Sequence, residues 1–334
     1  MKTVPEPTPQ PGESVLTSEQ SSRLQKAGYS LIGASKHSAA KVCLWCKKAL
    51  RGEGHCYKQE FYGIKSHRCL QFTPSLPFCT HQCVFCWRDT SITIPKWQGP
   101  IDEPAGLIDE AIAAQRKALT GFKGNSNADR ALWEEAQTPL HAAISLAGEP
   151  TLYPRLAELI KEFHARNMTT FLVTNGLNPE MLRALENENA LPTQLYVSLA
   201  SHSPQNYLNV HKPLVEKGWE KFNESLELLC GLGKKTRTVL RMTLAKGVNF
   251  DSAQDYAKLI AKSQSDYVEV KAYMALGSSR ERLGVAAMPA HDEIKKFAQA
   301  LAEETGYLFA AEHAPSRVVL LCRGKKTAAK RLLF

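Results

Sequence analysis

The chain has 334 residues, 43% of them hydrophobic, which is enough to bury a large core in one α/β barrel or in two ordinary domains. No apolar run approaches the roughly 20 residues that span a bilayer, so we expect a cytoplasmic protein with no membrane partner. In that compartment the nine cysteines are expected to be metal ligands or core residues rather than disulfides. The net charge of +9 fits an acidic partner such as nucleic acid.

Composition and patterning divide the chain into four regions. Residues 1–22 carry a proline at every second position from Pro5 to Pro11 and are expected to form a disordered tail. Residues 23–70 are rich in lysine, glycine and cysteine and have no apolar periodicity. Residues 71–280 alternate short apolar runs with helical patterns. Residues 281–334 predict a helix, a strand and a basic tail.

Six apolar runs predict the strands of a parallel sheet, because amphipathic helical patterns separate them. They lie at residues 70–73, 142–146, 170–174, 195–199, 238–244 and 267–273. One intervening helix shows apolar residues at the i, i+3, i+4 and i+7 positions, namely Leu156, Leu159, Ile160 and Phe163. The alternation predicts an incomplete parallel (β/α)6 barrel of the TIM type, with the cysteine-rich segment 23–70 capping its mouth.

Three closely spaced cysteines follow the first predicted strand. Cys79, Cys83 and Cys86 have three and then two residues between them. Soft thiolates select iron–sulfur clusters, zinc or Cu(I), and three ligands leave one coordination position open. A zinc site with His81 as fourth ligand is the alternative, although structural zinc usually pairs two short Cys/His knuckles across a longer gap.

Small polar residues recur where the predicted strands end, which is the edge at which barrel active sites lie. Each of them alone could be a helix cap or a turn residue. Their recurrence on successive strands favours a functional site. The residues are Glu149, then Thr174 and Asn175, then Ser198, with Thr243, Glu269 and Lys271 at or near the ends of the last two strands.

The cysteine motif, with Phe85 directly before the last thiol, resembles that of the radical S-adenosylmethionine superfamily. The resemblance implies that Cys79, Cys83 and Cys86 hold three irons of a [4Fe-4S] cluster and that S-adenosylmethionine binds the fourth iron. Reduction then cleaves the cosubstrate to a 5′-deoxyadenosyl radical. The family's Gly-Gly-Glu turn is matched with alanine at its first position. Implied cosubstrate contacts are Phe85, Ala147, Gly148, Glu149, Thr174, Asn175, Ser198, Thr243 and Glu269.

A second set of cysteines narrows the resemblance. Cys43, Cys56 and Cys69 have twelve residues between successive members. This pattern resembles the tRNA 4-demethylwyosine synthases, in which three N-terminal cysteines bind a second [4Fe-4S] cluster. The resemblance runs from about residue 28 to residue 321, while Cys46 falls outside the pattern and has no assigned role.

That family converts N1-methylguanosine at position 37 of phenylalanine tRNA to 4-demethylwyosine, with pyruvate as second substrate. The resemblance implies a carbon–carbon lyase that works as a monomer with a separate flavodoxin- or ferredoxin-like electron donor. Pyruvate is held either by an imine to Lys58, the matching residue, or by the open iron of the second cluster. The sequence leaves this choice open. The alternative for Lys58 is a solvated surface lysine with no role in the reaction.

Basic residues with interleaved aromatics support the RNA partner independently. Aromatic side chains in a basic groove can stack on unpaired bases, and Tyr57, Phe61 and Tyr62 are the candidates here. A second basic run closes the chain. The two basic sets are Lys47, Lys48, Arg51, Lys58, Lys65, His67 and Arg68, and Arg323, Lys325, Lys326, Lys330 and Arg331.

Two other functions stay open on sequence grounds. A glycyl-radical activating enzyme would keep the radical chemistry, but such enzymes usually carry paired ferredoxin-like cysteine runs. A non-catalytic zinc protein that binds RNA would contain zinc and no iron.

Overall fold

The computed structural model describes residues 13–333, and the structural statements below concern that part of the chain. Ten strands form one sheet in the order β1-β2-β3-β4-β5-β6-β7-β8-β10-β9. None of the described helices is long and apolar enough to cross a membrane. The strands are β1 (Ser30–Ile32), β2 (Ser38–Ala40), β3 (Cys69–Thr73), β4 (His141–Ile144), β5 (Thr169–Thr174), β6 (Gln194–Ser198), β7 (Arg237–Arg241), β8 (Tyr267–Lys271), β9 (Leu308–His313) and β10 (Val318–Cys322).

Thirteen α-helices are present in the described residues, and short 3-10 turns join several of them. The helices are α1 (Ser18–Lys26), α2 (Leu44–Leu50), α3 (Tyr57–Tyr62), α4 (Pro104–Leu119), α5 (Arg130–Ala136), α6 (Leu156–Ala165), α7 (Pro179–Asn187), α8 (Pro204–His211), α9 (Gly218–Leu232), α10 (Ala253–Ser263), α11 (Ser279–Leu283), α12 (His291–Thr305) and α13 (Lys325–Ala329).

The six strands from β3 to β8 run parallel, each paired with the next in the chain. They confirm the incomplete (β/α)6 barrel, and their bounds agree with the predicted runs to within a few residues. Both edges are extended by antiparallel strands, β2 and β1 on one side and β10 and β9 on the other. Strands β1 and β2 have three residues each, too few for an alternating pattern to appear in the sequence.

The predicted N-terminal tail ends earlier than residue 22. Helix α1 begins at Ser18 because Thr17 and Gln20 form a capping box, in which each side chain accepts from the other residue's backbone N–H. Residues 1–12, which carry the prolines of that prediction, lie outside the described residues.

Helix α3 lies inside the open barrel. Its Tyr57, Phe61 and Tyr62 pack on large inward side chains of the strands, including Phe171 of β5 and Tyr196 of β6. The prediction that the cysteine-rich segment caps the mouth is therefore wrong for this helix. The alternating side chains of the strands leave room within the barrel, and an apolar helix from the N-terminal region fills it.

The outer helices bury the other face of the sheet. The stripe predicted on α6 is confirmed, since Leu156, Leu159, Ile160 and Phe163 are all fully buried in the main core. With α3 inside the barrel and α1 and α2 contributing to the lining, the side chains at the carboxyl ends of the parallel strands face a cavity.

Candidate active site

A cavity of about 1140 Å³ opens at the carboxyl ends of the parallel strands. Both cysteine triads and Lys58 line the same space, although they come from separate parts of the sequence. Only Glu269 among the predicted site residues does not line it. The predicted residues that do are Cys43, Cys56, Lys58, Cys69, Cys79, Cys83, Phe85, Cys86, Ala147, Gly148, Glu149, Thr174, Asn175, Ser198 and Thr243.

The loop after β3 presents the first triad. The Cys79 N–H donates to the carbonyl of Ile94 at 2.9 Å, and the Cys86 N–H donates to the carbonyl of Cys83 at 3.0 Å, which closes a tight turn. Burial raises the pKa of the Cys79 thiol, whereas the nearby Arg88 guanidinium acts to lower it. A thiolate at this position is therefore stabilised by a positive charge.

Arg88 serves all three thiols of this triad. Its side chain is 6% exposed, and Nη2 donates to the carbonyl of His81 at 3.3 Å, while Nη1 has no partner among the described residues. The proximity of Cys79, Cys83 and Cys86 raises the pKa of the guanidinium against its burial. Three thiols with a buried cation beside them fit an anionic thiolate-bound cluster.

The turn after β4 comes into close contact with the loop that carries the first triad. Gly148 has φ of +69°, and a Cβ at this position would collide with the carbonyl oxygen of Ser75 and lie 2.8 Å from that of Phe78. The next residue, Glu149, donates its backbone N–H to the Phe78 carbonyl at 2.7 Å. The glycine therefore allows two backbone segments to lie in direct contact.

The Glu149 carboxylate organises the strand ends. One oxygen accepts from the Thr174 hydroxyl at 2.6 Å and from the Thr151 hydroxyl at 2.7 Å, and the other accepts from the Asn175 N–H at 2.7 Å. Burial nevertheless raises the pKa of Glu149, and these hydrogen bonds oppose the shift. The carboxylate thus holds the ends of β4 and β5 together, whatever else it binds.

The second triad lies at the N-termini of α2 and α3 and at the first residue of β3. Cys43 and Cys56 are the N-cap residues of α2 and α3, and neither side chain makes a capping hydrogen bond. Burial and the neighbouring thiols of Cys43 and Cys56 raise the pKa of Cys69. Three mutually close thiols with free Sγ atoms again fit a metal cluster rather than a packed apolar core.

Cys46 is distinct from this triad. Its side chain is buried, and its Sγ donates to the carbonyl of His67 at 3.5 Å. Burial raises the pKa of its thiol to about 12. The residue packs in a small cluster with Val42 and Leu50, as a core cysteine does.

Lys58 is the first buried lysine of the cavity. Its Nζ lies 4.4 Å from the ring centroid of Tyr196 and 5.0 Å from that of Phe171, and no acceptor among the described residues bonds it. Burial lowers the pKa of its ammonium, an effect that the Glu269 carboxylate opposes. The surface alternative for Lys58 is wrong, because the residue is 7% exposed.

Glu269 lies beneath the cavity and does not reach it. It is fully buried, and its two oxygens accept from the hydroxyls of Tyr57 and Tyr62, each at 2.9 Å. The prediction of a cosubstrate contact at Glu269 is therefore corrected. A strand-end position does not reveal how deep a side chain lies, and here α3 covers this one.

Two residues next to Glu269 were not predicted as site residues by the resemblance. Arg241, the last residue of β7, and Lys271, the last residue of β8, both line the cavity. Burial, aided by Arg241, lowers the pKa of Lys271 to about 8, and its Nζ donates to the carbonyl of Ser316 at 2.5 Å. The inward alternation of β7 was the available signal for Arg241.

The aromatic residues proposed to stack on RNA cannot do so. Tyr57, Phe61 and Tyr62 are buried inside the barrel, at 6% exposure or less. Two residues of the C-terminal basic run are also engaged by the protein, since Arg331 donates to the carbonyl of Glu60 at 2.7 Å and Arg323 pairs with Asp266 at 3.0 Å. The lysines of that run, Lys325, Lys326 and Lys330, are exposed. Basic character in the sequence therefore overstated the surface available to RNA.

One compact set of possible metal ligands shares a residue with the first triad. Ligand atoms of His81, Cys83 and His211 lie within 4.8 Å of one another, and Cys83 Sγ is 3.2 Å from His211 Nδ1. His81 Nε2 is already engaged by the Tyr207 hydroxyl at 2.7 Å. Burial lowers the pKa of His211 to about 3, so this ring is neutral.

Comparison with known proteins identifies the family. A model of the radical SAM superfamily matches residues 73–260, and a model of wyosine base formation matches residues 262–323. The chain is 49% identical to the S-adenosyl-L-methionine-dependent tRNA 4-demethylwyosine synthase of Pyrococcus horikoshii, over 90% of this chain and 87% of that protein. This chain belongs to the tRNA 4-demethylwyosine synthase family.

Other family members extend the comparison. The synthase of Oryza sativa is 41% identical over 91% of this chain but only 46% of its own length. A structure of TYW1 with a lysine–pyruvate adduct bound superposes with a TM-score of 0.81 at 36% identity, covering 92% of this chain and 96% of that one. A crystal structure of archaeal TYW1 gives 0.74 at 33% identity, covering 92% and 97%.

Family membership establishes an S-adenosylmethionine-dependent radical enzyme with an iron–sulfur cluster that acts in tRNA wyosine synthesis. It contradicts both the glycyl-radical activating enzyme and the non-catalytic zinc protein.

The contact at Gly148 gives a prediction about stability. Replacing Gly148 by alanine is expected to lower the free energy of unfolding by about 3 kcal/mol or more, because the new Cβ meets the Ser75 carbonyl at a positive φ. Chemical denaturation followed by circular dichroism measures the change. Gly106→Ala is the matched control, since nothing lies within 4 Å of that site on α4, and it should stabilise by about 0.5–1 kcal/mol. Equal effects at the two glycines would contradict the interpretation.

Proposed function

We propose that this chain converts N1-methylguanosine at position 37 of phenylalanine tRNA to 4-demethylwyosine by condensation with pyruvate. One observation carries the proposal: both cysteine triads and the unpaired amine of Lys58 face a single cavity in a member of this family. A radical generated at one triad can then act on a molecule held at the other.

The first triad would hold the cluster that binds S-adenosylmethionine. When bound, that cluster supplies the electron that cleaves the cosubstrate. Cys79, Cys83 and Cys86 provide its thiolates, and Arg88 balances their charge. Gly148 and Glu149 shape the wall next to this triad. Of the other proposed cosubstrate contacts, Phe85, Thr174, Asn175, Ser198, Thr243 and Ala147 line the same cavity.

Lys58 is proposed to condense with pyruvate. An amine attacks a ketone only when it is neutral, and burial favours the neutral form of this side chain. The related TYW1 structure with a lysine–pyruvate adduct supports an imine over a purely electrostatic role. Lys271 is a poorer candidate, because its amine is hydrogen-bonded to the Ser316 carbonyl.

The second triad is proposed to hold a second [4Fe-4S] cluster through Cys43, Cys56 and Cys69. Cys56 lies two residues before Lys58, so the cluster and the amine would share one substrate. Pyruvate keeps two carbons in the tricyclic product and loses its carboxylate carbon, which makes the enzyme a carbon–carbon lyase.

The target base would have to leave the anticodon loop to enter the cavity, as it does in other base-modifying enzymes. Two exposed apolar side chains stand at its lining, Leu44 at 57% and Leu276 at 56% exposure. Such side chains can pack against a nucleobase that leaves its stack. Lys48, whose Nζ lies 5.2 Å from the ring centroid of Trp45, adds positive charge at the same lining.

Electron supply and assembly complete the proposal. We propose a separate flavodoxin- or ferredoxin-like donor, a monomeric enzyme and a cytoplasmic location, where tRNA is available as substrate.

The overall proposal is tested by product analysis. Reduced and reconstituted protein, incubated with S-adenosylmethionine, pyruvate and tRNA that contains N1-methylguanosine, should yield 4-demethylwyosine in nucleoside digests measured by mass spectrometry. Omission of pyruvate should leave the methylated base. Unchanged base in the complete mixture, with the cosubstrate cleaved, would exclude this substrate pair.

Iron content tests the second cluster. Anaerobic reconstitution should give about eight irons per chain, and the Cys43→Ala, Cys56→Ala, Cys69→Ala triple variant should keep about half. Cys46→Ala is the matched control and should keep all of its iron, because its thiol donates to a carbonyl. Full iron in the triple variant would rule out the second cluster.

Borohydride trapping tests the imine. Reduction in the presence of labelled pyruvate should attach label to the peptide that contains Lys58, and the Lys58→Ala variant should lose at least about nine-tenths of it. Lys271→Ala controls for any buried lysine of the cavity and should still be labelled. Label that follows Lys271 instead would transfer the role to that residue.

A further inference from the structure

Arg241 occupies the floor of the cavity on the side of the second triad. It ends β7 opposite Ser198 of β6 and Glu269 of β8, and it lines the cavity together with Lys58. Its charge acts on the ammonium groups of both Lys58 and Lys271. The guanidinium therefore lies within electrostatic range of the amine proposed to bind pyruvate.

The guanidinium of Arg241 lies between the Glu269 carboxylate and the cavity, and it has no hydrogen-bond partner on the cavity side among the described residues. Its Nε lies 3.9 Å from Glu269, which is longer than a hydrogen bond, and is buried without a hydrogen-bond partner. Neither terminal nitrogen makes a hydrogen bond to any residue that the structure describes. The side chain is 27% exposed and lines the cavity, so a carboxylate bound there would supply the acceptors that no described residue gives the terminal nitrogens.

The charge balance around Arg241 calls for an anion. The guanidinium of Arg241 and the amines of Lys58 and Lys271 line this side of the cavity, and burial lowers the pKa of both amines. The carboxylate nearest to them, Glu269, already accepts hydrogen bonds from two tyrosines. A small carboxylate can take both terminal nitrogens of an arginine at once, which fixes its orientation as well as its charge.

We propose that Arg241 binds the carboxylate of pyruvate and thereby directs its ketone carbon towards Lys58. The inference rests on the proposed function and assigns the group that selects a 2-oxo acid over an uncharged ketone. Arg241 acts as a binding residue, and Lys271 adds positive charge without a free hydrogen-bonding role, since its amine is committed to Ser316.

Methyl pyruvate provides the test, because it keeps the ketone and lacks the charge. Lysine and ketone condense with loss of water, and borohydride then reduces the C=N bond, so the trapped peptide reports occupancy for either compound. The measured quantity is the concentration that gives half-maximal trapping. In the reconstituted unmodified chain, pyruvate should reach it at a concentration about 10- to 100-fold lower than methyl pyruvate does.

Arg241→Met should bring the half-saturating concentrations of methyl pyruvate and pyruvate to a ratio within about threefold of unity, because only the charged substrate loses a partner. The change in the ratio cancels the different intrinsic reactivities of the two ketones. Arg241→Lys should keep an intermediate preference, since it retains the charge but not the two-pronged geometry. Arg237→Met is the matched control. That residue lies on the same strand, donates to the carbonyls of Lys330 and Arg331, does not line the cavity, and should leave the ratio unchanged.

The outcomes separate this inference from the proposed function. No trapped adduct with either compound in the unmodified chain would remove the imine itself. An adduct with an unaltered pyruvate preference in Arg241→Met, or equal half-saturation by the two compounds in the unmodified chain, would overturn the role of Arg241 alone. The second comparison needs no variant and holds even if Arg241→Met fails to fold. Affinity for S-adenosylmethionine should be unchanged in Arg241→Lys, and a loss there in place of the pyruvate preference would assign the guanidinium to the cosubstrate.

Discussion

The fully buried carboxylate of Glu269 joins the two parts of this molecule. It accepts hydrogen bonds from Tyr57 and Tyr62 of α3 while it belongs to β8 of the barrel, more than 200 positions further along the chain. A buried carboxylate with two donors and a nearby guanidinium is stable only when all of them stay in place. The helix is therefore fixed inside the barrel, and with it the N-cap cysteine Cys56 and Lys58 two residues beyond it.

This anchoring explains how two distant cysteine sets come to share one space. The first triad is local in sequence, since its loop follows β3 directly, and backbone hydrogen bonds within the loop and to α8 hold it in place. The second triad is not local, because it needs α2, α3 and β3 to converge. The convergence is achieved by packing and by one buried polar network, so the proposed metal sites are held by the fold itself as well as by any cluster they bind.

The sequence predicted the features that depend on a local pattern and missed those that depend on how deeply a residue is buried in the barrel. The six parallel strands and the helix stripe were visible because alternation and helical periodicity are properties of short segments. Glu269 was misassigned, and Tyr57, Phe61 and Tyr62 were read as surface aromatics, because no local pattern shows that α3 enters the barrel. Arg241 was overlooked for the same reason, because the position of its guanidinium between the cavity and the Glu269 carboxylate depends on strands β6 and β8 beside it.

The turn at Ala147 and Gly148 shows which position of the Gly-Gly-Glu motif tolerates a side chain. The methyl group of Ala147 packs in an apolar cluster with Leu76 and Leu146, so a side chain at the first position is accommodated and buried. The second position has no such freedom, because the backbone of Ser75 occupies the space that a Cβ would need. A small side chain is therefore accommodated at residue 147, whereas residue 148 must be glycine for as long as the two loops stay in contact.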